Sequence, residues 1–172
     1  PEDAAAVAHG EQLALALATR ATDLRESAAY LGLNVAELAR THGQAQAHAL
    51  YRQHGRQAFL PVETLTRIVQ TVGADAVVAT SAPRAERAAL LAARRCGVPS
   101  LCMVDLFAAY EVAWLREPGF GDRVCVLNDR VRQRLVDAGR PAADVVVTGN
   151  PAFDRLGDPE LRRRGRALRT ER

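Results

Sequence analysis

Four short apolar runs between residues 75 and 148 end in residues that can do chemistry. These residues are Thr80-Ser81, Asp105, Asn128-Asp129 and Thr148-Gly149-Asn150. In an open parallel α/β sheet, ligands bind beyond the carboxyl ends of the strands, so polar groups at these positions are expected to face one crevice. The same residue types also cap helices at such junctions, and capping is the simpler interpretation for Thr80, Ser81 and Asn128.

Asp105 is the strongest single candidate for a catalytic group. It follows the apolar residues 101–104 (LCMV) and precedes Leu106 and Phe107, so its carboxylate is expected at a strand end beside apolar groups. A carboxyl group in such a setting is suited to general acid or base catalysis. The alternative, in which Asp105 caps the next helix, agrees equally well with the sequence.

The histidines and cysteines do not predict a metal site. His42 and His48 are six residues apart, which does not place both on one face of a helix. A Thr-His-Gly turn at 41–43 after a strand would nevertheless bring His42 to the crevice, so it stays a candidate for substrate binding. The three cysteines follow no metal-binding spacing, and no Gly-rich phosphate fingerprint occurs, so we expect neither metal nor cofactor.

The amino-acid composition limits the classes of protein to which this chain can belong. With 172 residues and 48% hydrophobic residues, the chain is long enough for one domain with a core. The net charge of +3 comes from arginine without any lysine, and only 5% of residues are aromatic, so nucleic-acid binding is not expected. The sequence contains neither a run of ~18 apolar residues nor a signal peptide, and we predict a soluble cytoplasmic domain.

The elements from residue 61 onward alternate between helix and strand. We predict helices at 61–73, 83–97, 108–115 and 129–139, and strands at 75–81, 99–106, 123–128 and 144–148. Continuous apolar strands joined by helices are typical of a parallel sheet with helices on both faces. The predicted fold class is therefore α/β, a doubly wound, Rossmann-like parallel sheet.

The two ends of the chain fit this pattern less well. Residues 3–18, 23–31 and 44–53 are predicted to be helical, with a strand at 33–38. A doubly wound domain begins with a strand, which is missing here, and the last helix, from Pro159, runs to the end without a cap. We therefore expect a chain cut from a longer protein.

Several segments resemble a known family when they are taken together. In order they are DAVVATS at 75–81, AALLAARRCGVPS at 88–100, DRVCVLND at 122–129 and VVVTGNPAFDRL at 145–156. They resemble the N-terminal domain of GT-B-fold proteins, and are most similar to UDP-N-acetylglucosamine 2-epimerase and related nucleotide-sugar glycosyltransferases. They resemble lipid-A-disaccharide synthase more distantly. The resemblance covers about residues 75–156, and its most specific part is Thr148-Gly149-Asn150 followed by Asp154.

This resemblance implies a protein of two domains with different functions. Residues 1–156 would form the N-terminal, acceptor-side half of a GT-B protein, and residues 157–172 would lead to an absent C-terminal domain that holds most of the UDP-binding residues. The implied partners are a UDP-sugar and a sugar or lipid acceptor. Peripheral membrane contact and a homodimer are both compatible with the resemblance. The 172 residues alone are expected to be inactive.

The departures from the epimerase pattern favour a transferase. Epimerases of this family carry His-Gly-Asp-Thr after the strand that corresponds to 75–80, where this chain has Thr80-Ser81-Ala82-Pro83. They also carry His-x-Glu-Ala-Gly where this chain has residues 102–106 (CMVDL). Epimerisation needs paired groups to remove and return a proton, whereas sugar transfer needs one base.

The resulting hypothesis is a glycosyltransferase with Asp105 as general base. Its proposed substrate-binding residues are Thr80, Ser81, His42, Thr148, Gly149 and Asn150. The sequence leaves two alternatives open, an epimerase with altered motifs and a non-catalytic sugar-nucleotide-binding module.

Overall fold

The computed structural model describes residues 2–17, 24–105, 107–117 and 119–170. The α-helices are α1 (Glu2–Leu17), α2 (Leu24–His42), α3 (Gln44–His54), α4 (Val62–Val72), α5 (Ala85–Cys96), α6 (Val112–Leu115), α7 (Asp129–Asp137) and α8 (Pro159–Thr170). The strands are β1 (Val77–Thr80), β2 (Ser100–Met103), β3 (Arg123–Val126) and β4 (Val145–Val147). Short 3-10 helices lie at Gly55–Ala58, Ala142–Asp144 and Pro151–Gly157.

The four strands form one parallel sheet in the order β1-β2-β3-β4. Residues that pair across neighbouring strands share a face of the sheet, because side chains alternate along each strand. Ala79, Cys102, Val124 and Val145 therefore point to one face. Thr80, Met103, Cys125 and Val146 form a row on the other face.

The main core lies on the face that carries Cys102 and Val124. There the strands pack against Leu90 of α5 and against Val131 and Leu135 of α7, all of them buried. The opposite face is more open, since Val78 is 61% and Val146 41% exposed. Among the described residues, helices α5 and α7 therefore pack against one face of the sheet and form the core together with it.

The predicted α/β class and parallel sheet are confirmed. The strand order runs in one direction across the described sheet, without the reversal that defines a doubly wound arrangement.

The predicted strand at 33–38 is wrong, because these residues belong to the long helix α2. Ala28, Leu31, Val35 and Leu38 are all buried and follow helical spacing on one face. Gly32, which suggested the end of a helix, instead lies where α2 crosses α1. A Cβ there would overlap the backbone of Ala6 in α1.

The first three helices connect to the sheet through α4. The buried carboxylate of Glu37, in α2, accepts hydrogen bonds from the backbone amides of Glu63 and Thr64 at 2.7 and 2.9 Å and from the Thr64 hydroxyl at 2.7 Å. It therefore caps the amino end of α4 from another helix. α4 in turn packs beside α5.

The predicted helix at 108–115 is much shorter in the structure. Only Val112–Leu115 is α-helical, and Ala108 has a positive φ of 50°. A non-glycine residue in this conformation cannot continue a right-handed helix, so the helix begins later. The predicted helix from Pro159 is confirmed as α8, and its arginines Arg162, Arg163 and Arg164 are exposed.

No described helix is both long and apolar enough to cross a membrane.

Candidate functional site

Asp105 and Asn150 meet at the carboxyl end of the sheet. The side-chain Nδ2 of Asn150 donates a hydrogen bond of 2.7 Å to the backbone oxygen of Asp105. Asp105 follows β2 and Asn150 follows β4, so the bond joins two segments that are 45 residues apart. The structure thus brings the predicted catalytic acid, Asp105, into contact with Asn150 of the Thr-Gly-Asn motif.

The Thr-Gly-Asn turn ends β4 by a defined hydrogen-bond pattern. The amides of Thr148 and Gly149 both donate to the oxygen of Val126, at 3.1 and 3.2 Å. Gly149 has φ of 77°, a conformation that glycine adopts without strain. The Asn150 Oδ1 then accepts from the amide of Ala152 at 2.9 Å and caps the 3-10 helix Pro151–Gly157. Both ends of the Asn150 side chain are used to hold the turn.

Thr80 and Ser81, at the end of β1, differ in accessibility. Thr80 is exposed, whereas Ser81 is only 3% exposed. The indole Nε1 of Trp114 donates to the Ser81 carbonyl oxygen at 2.6 Å, which ties α6 to the end of β1. Sequence reasoning missed Trp114, although a single tryptophan close behind a candidate catalytic residue is a usable signal.

Two of the other predicted positions have different roles. Asn128 caps α7, since its Oδ1 accepts from the amide of Val131 at 3.0 Å, and the simpler interpretation is confirmed. His42 is the last residue of α2, which packs mainly against α1, α3 and α4. Because the strand expected before His42 does not exist, the reason for placing its imidazole in the crevice is lost.

The carboxylate of Asp105 is exposed, directly beyond a buried strand. Three residues earlier, Cys102 is fully buried, and its thiol lies 3.8 Å from the oxygen of Thr80. Burial raises the pKa of Cys102 to about 12, while the charge of Arg140 acts in the opposite direction and the charge of Asp105 adds a smaller increase. The Cys102 thiol is therefore neutral beneath the site at physiological pH.

A buried guanidinium supports the connection between α6 and β3. Arg140 donates to the carbonyl oxygens of Glu117 at 2.9 Å and of Gly121, and its weaker contacts reach Leu115 and Phe120. The fork of an arginine can satisfy several carbonyls at once, so this one side chain fixes the connection between α6 and β3. Nothing in the sequence around Arg140 indicates this role.

A cavity of about 660 Å³ lies at the opposite, amino ends of the strands. Its lining includes Val98, Pro99 and Leu101, together with Ser100 and Asp122. The last two are bonded to each other, since Asp122 accepts from the Ser100 amide and hydroxyl at 2.8 and 2.9 Å. Arg94 and Arg123 also line this cavity. Ligands of parallel α/β sheets bind at the carboxyl ends of the strands, so that end remains the better candidate site.

The described residues contain no cluster of three or more histidine, cysteine or acidic side chains that could hold a metal ion. The three cysteines are free thiols.

Comparisons with protein-family models, with curated proteins and with solved structures found no match for this chain.

Proposed function

We propose that the chain is the acceptor-side, Rossmann-like domain of a nucleotide-sugar-dependent glycosyltransferase of GT-B type, with Asp105 as the general base. The hydrogen bond from Asn150 to the Asp105 backbone carries the proposal. It places an exposed carboxylate beside a glycine-containing turn at the sheet edge where α/β proteins bind ligands. The substrate class is proposed from the resemblance of the sequence at 75–156 to nucleotide-sugar enzymes.

In this reaction the Asp105 carboxylate accepts the proton of an acceptor hydroxyl. The hydroxyl oxygen forms a bond to the anomeric carbon of the donor sugar, and the bond from that carbon to the diphosphate oxygen breaks, so that UDP leaves with the electron pair. The exposed hydroxyls of Thr80 and Thr148 are proposed to contact the acceptor. Asn150 positions Asp105 through the backbone, and the second N–H and second oxygen lone pair of its amide are proposed to contact the substrate.

Sugar transfer also requires groups that stabilise the leaving diphosphate. We assign that task to a donor-binding domain that works together with these residues. The acceptor side would then provide the base, and the donor side the electrostatic stabilisation of the developing charge.

The test is transfer of labelled sugar from UDP-N-acetylglucosamine by the full-length polypeptide. The variant Asp105→Asn keeps the shape of the side chain and removes the base, so transfer is expected to fall by ~10²-fold or more. Asp129→Asn is the matched control, because Asp129 is an exposed acid that follows the neighbouring strand β3. Near-normal turnover of Asp105→Asn would remove Asp105 from the mechanism.

A calorimetric titration with UDP and UDP-N-acetylglucosamine completes the test. Binding without transfer or hydrolysis would indicate a non-catalytic sugar-nucleotide-binding module and not an enzyme. Uptake of solvent deuterium at the sugar carbon next to the anomeric centre would instead indicate epimerisation.

A further inference from the structure

We propose that His9 and His48 form an exchangeable site for a divalent transition-metal ion, represented here by zinc, which joins the first helix to the third. This inference is independent of the proposed function, because neither residue belongs to the sheet or to its carboxyl edge. It depends on the geometry of the two imidazoles, on the cavity beside them, and on the packing that holds their helices.

The imidazole rings of His9, in α1, and His48, in α3, lie next to each other. Their centroids are 6.5 Å apart and their planes are parallel to within 4°. Given zinc–nitrogen distances of about 2.0–2.1 Å, two imidazoles on one tetrahedral ion have centroids about 5 Å apart. Both residues are exposed, so rotation about their side-chain bonds can bring the rings to this separation.

A cavity of about 200 Å³ adjoins the two rings. His9 and His48 line it together with Gln44, which supplies the third polar side chain. The other lining residues are small or aliphatic and uncharged, namely Ala5, Ala6, Gly32, Val35, Ala36 and Ala39. A water molecule takes about 30 Å³ in the liquid, so the cavity has room for an ion with several bound waters.

These ligand types select the class of metal. Imidazole suits zinc, copper and nickel, whereas calcium and magnesium require oxygen ligands and favour carboxylates. The side-chain oxygen of Gln44 can provide a third ligand. A structural zinc site has four protein ligands, so two or three leave positions that water completes. The ion is therefore expected to exchange with the solution.

The backbones that carry the two histidines are already held in place. Gly10, next to His9, is buried where α1 crosses α2, and a Cβ there would overlap the backbone of α2. Ala47, next to His48, is fully buried. Gly43 alone separates α2 from α3, and its carbonyl oxygen accepts a hydrogen bond of 2.9 Å from the Ala47 amide. Metal binding therefore has to order side chains and not helices, which lowers its entropic cost.

The test is isothermal titration calorimetry of the untagged 172-residue chain with zinc chloride at pH 7.5. We expect one saturable site per chain. His9→Ala and His48→Ala each leave a single imidazole, so zinc should bind at least ~10-fold more weakly to either variant. Copper(II) should bind more tightly than zinc, and magnesium should not bind at this site.

His54→Ala is the matched control for both histidine variants. His54 is also an exposed histidine of α3, at its last residue, and it does not line the cavity. Its replacement should leave the affinity for zinc unchanged. Circular dichroism without metal checks the helix content of all variants, and His9→Gln replaces His9→Ala if that variant loses helix.

Hydrogen exchange provides a readout that does not depend on the heat of binding. An ion that joins α1 to α3 should slow the exchange of α1 amides in the presence of zinc, relative to the amides of α5. The effect should persist in His54→Ala and disappear in His9→Ala. It distinguishes a metal that connects the two helices from one bound to a single side chain.

Three results would overturn the proposal. They are an absence of saturable zinc binding, an unchanged affinity in the double variant His9→Ala/His48→Ala, and an equal loss of affinity in His54→Ala. Either of the last two would place the bound zinc elsewhere, for example on the free thiol of Cys96.

Discussion

The indole nitrogen of Trp114 lies 2.6 Å from the carbonyl oxygen of Ser81 and donates a hydrogen bond to it. Trp114 belongs to α6, and Ser81 directly follows β1, so the bond links the connection after Asp105 to the first strand of the sheet. The Ser81 residue is almost fully buried, which makes its carbonyl oxygen dependent on this donor. The bond therefore helps to hold the connection after Asp105 against the end of β1.

We predict that Trp114→Phe lowers the free energy of unfolding by about 1–3 kcal/mol, because the smaller ring retains part of the packing and leaves the Ser81 carbonyl without its donor. Urea denaturation of the purified chain, followed by circular dichroism, measures the change. Tyr110→Phe is the control, since Tyr110 is 86% exposed and its hydroxyl should contribute almost nothing. Equal stability of Trp114→Phe and the unmodified chain would show that the hydrogen bond is not needed.

The crossing of α1 and α2 depends on Gly32. A Cβ at this position would overlap the carbonyl group of Ala6, and backbone atoms cannot move aside as the end of a flexible side chain can. We predict that Gly32→Ala lowers the free energy of unfolding by about 1–3 kcal/mol or separates α1 from α2. Hydrogen exchange of the α1 amides, compared with those of α5, distinguishes local separation from a general loss of stability.

Gly165 provides the matched control for that substitution. It lies within the exposed helix α8, and a Cβ there would meet no atom within 4 Å. Gly165→Ala should therefore stabilise α8 by about 0.5–1 kcal/mol, through helix propensity alone. If both alanine variants behave alike, the close approach of α1 and α2 is not what Gly32 provides.

The capping of α4 by Glu37 gives a third prediction. Glu37→Gln retains one side-chain oxygen but loses the charge and the second acceptor, and three donors from Glu63 and Thr64 then compete for one oxygen. We expect a loss of about 1–3 kcal/mol in the free energy of unfolding by urea denaturation. Glu11→Gln, at an exposed position of α1, is the control and should change stability by less than about 0.5 kcal/mol.

The parallel sheet could be predicted from the sequence because each strand is a short apolar run between turn residues. Gly73 and Gly97, which end α4 and α5 in left-handed conformations, marked the helix ends correctly. The same reasoning failed at Gly32, where glycine serves a close helix crossing inside α2. A glycine that allows backbone approach and a glycine that ends a helix look alike in one sequence, so the predicted strand at 33–38 followed from the wrong choice.

The candidate site was only partly predictable for a similar reason. The expectation that Asp105 and Asn150 lie at one sheet edge followed from the general geometry of parallel sheets, and the structure places them in contact. The supporting roles of Trp114 and Arg140 depend on contacts to carbonyl groups 19–33 residues away. Such contacts are set by the packing of connections and leave no local pattern of spacing.

Cys102 gives a prediction about alkaline pH. Burial raises the pKa of its thiol in the folded chain to about 12 from an ordinary value of 9.0, so the folded state holds the proton more firmly than the unfolded state. The contribution to stability is complete below pH 9 and is lost as pH rises from about 9 toward 12. Within that window we expect the free energy of unfolding to fall by up to about 1.4 kcal/mol per pH unit from this group.

Urea denaturation at pH 8, 9 and 10 measures this slope, and Cys102→Ala should make it shallower because the titrating thiol is gone. Cys96→Ala is the control, since Cys96 is only half-buried, on α5, and its removal should leave the alkaline slope unchanged. An iodoacetamide assay on the folded chain at pH 8 gives an independent check, because a neutral, buried thiol reacts far more slowly than an accessible one. Rapid alkylation of Cys102 in the folded chain, or the same slope in both alanine variants, would contradict the shifted pKa.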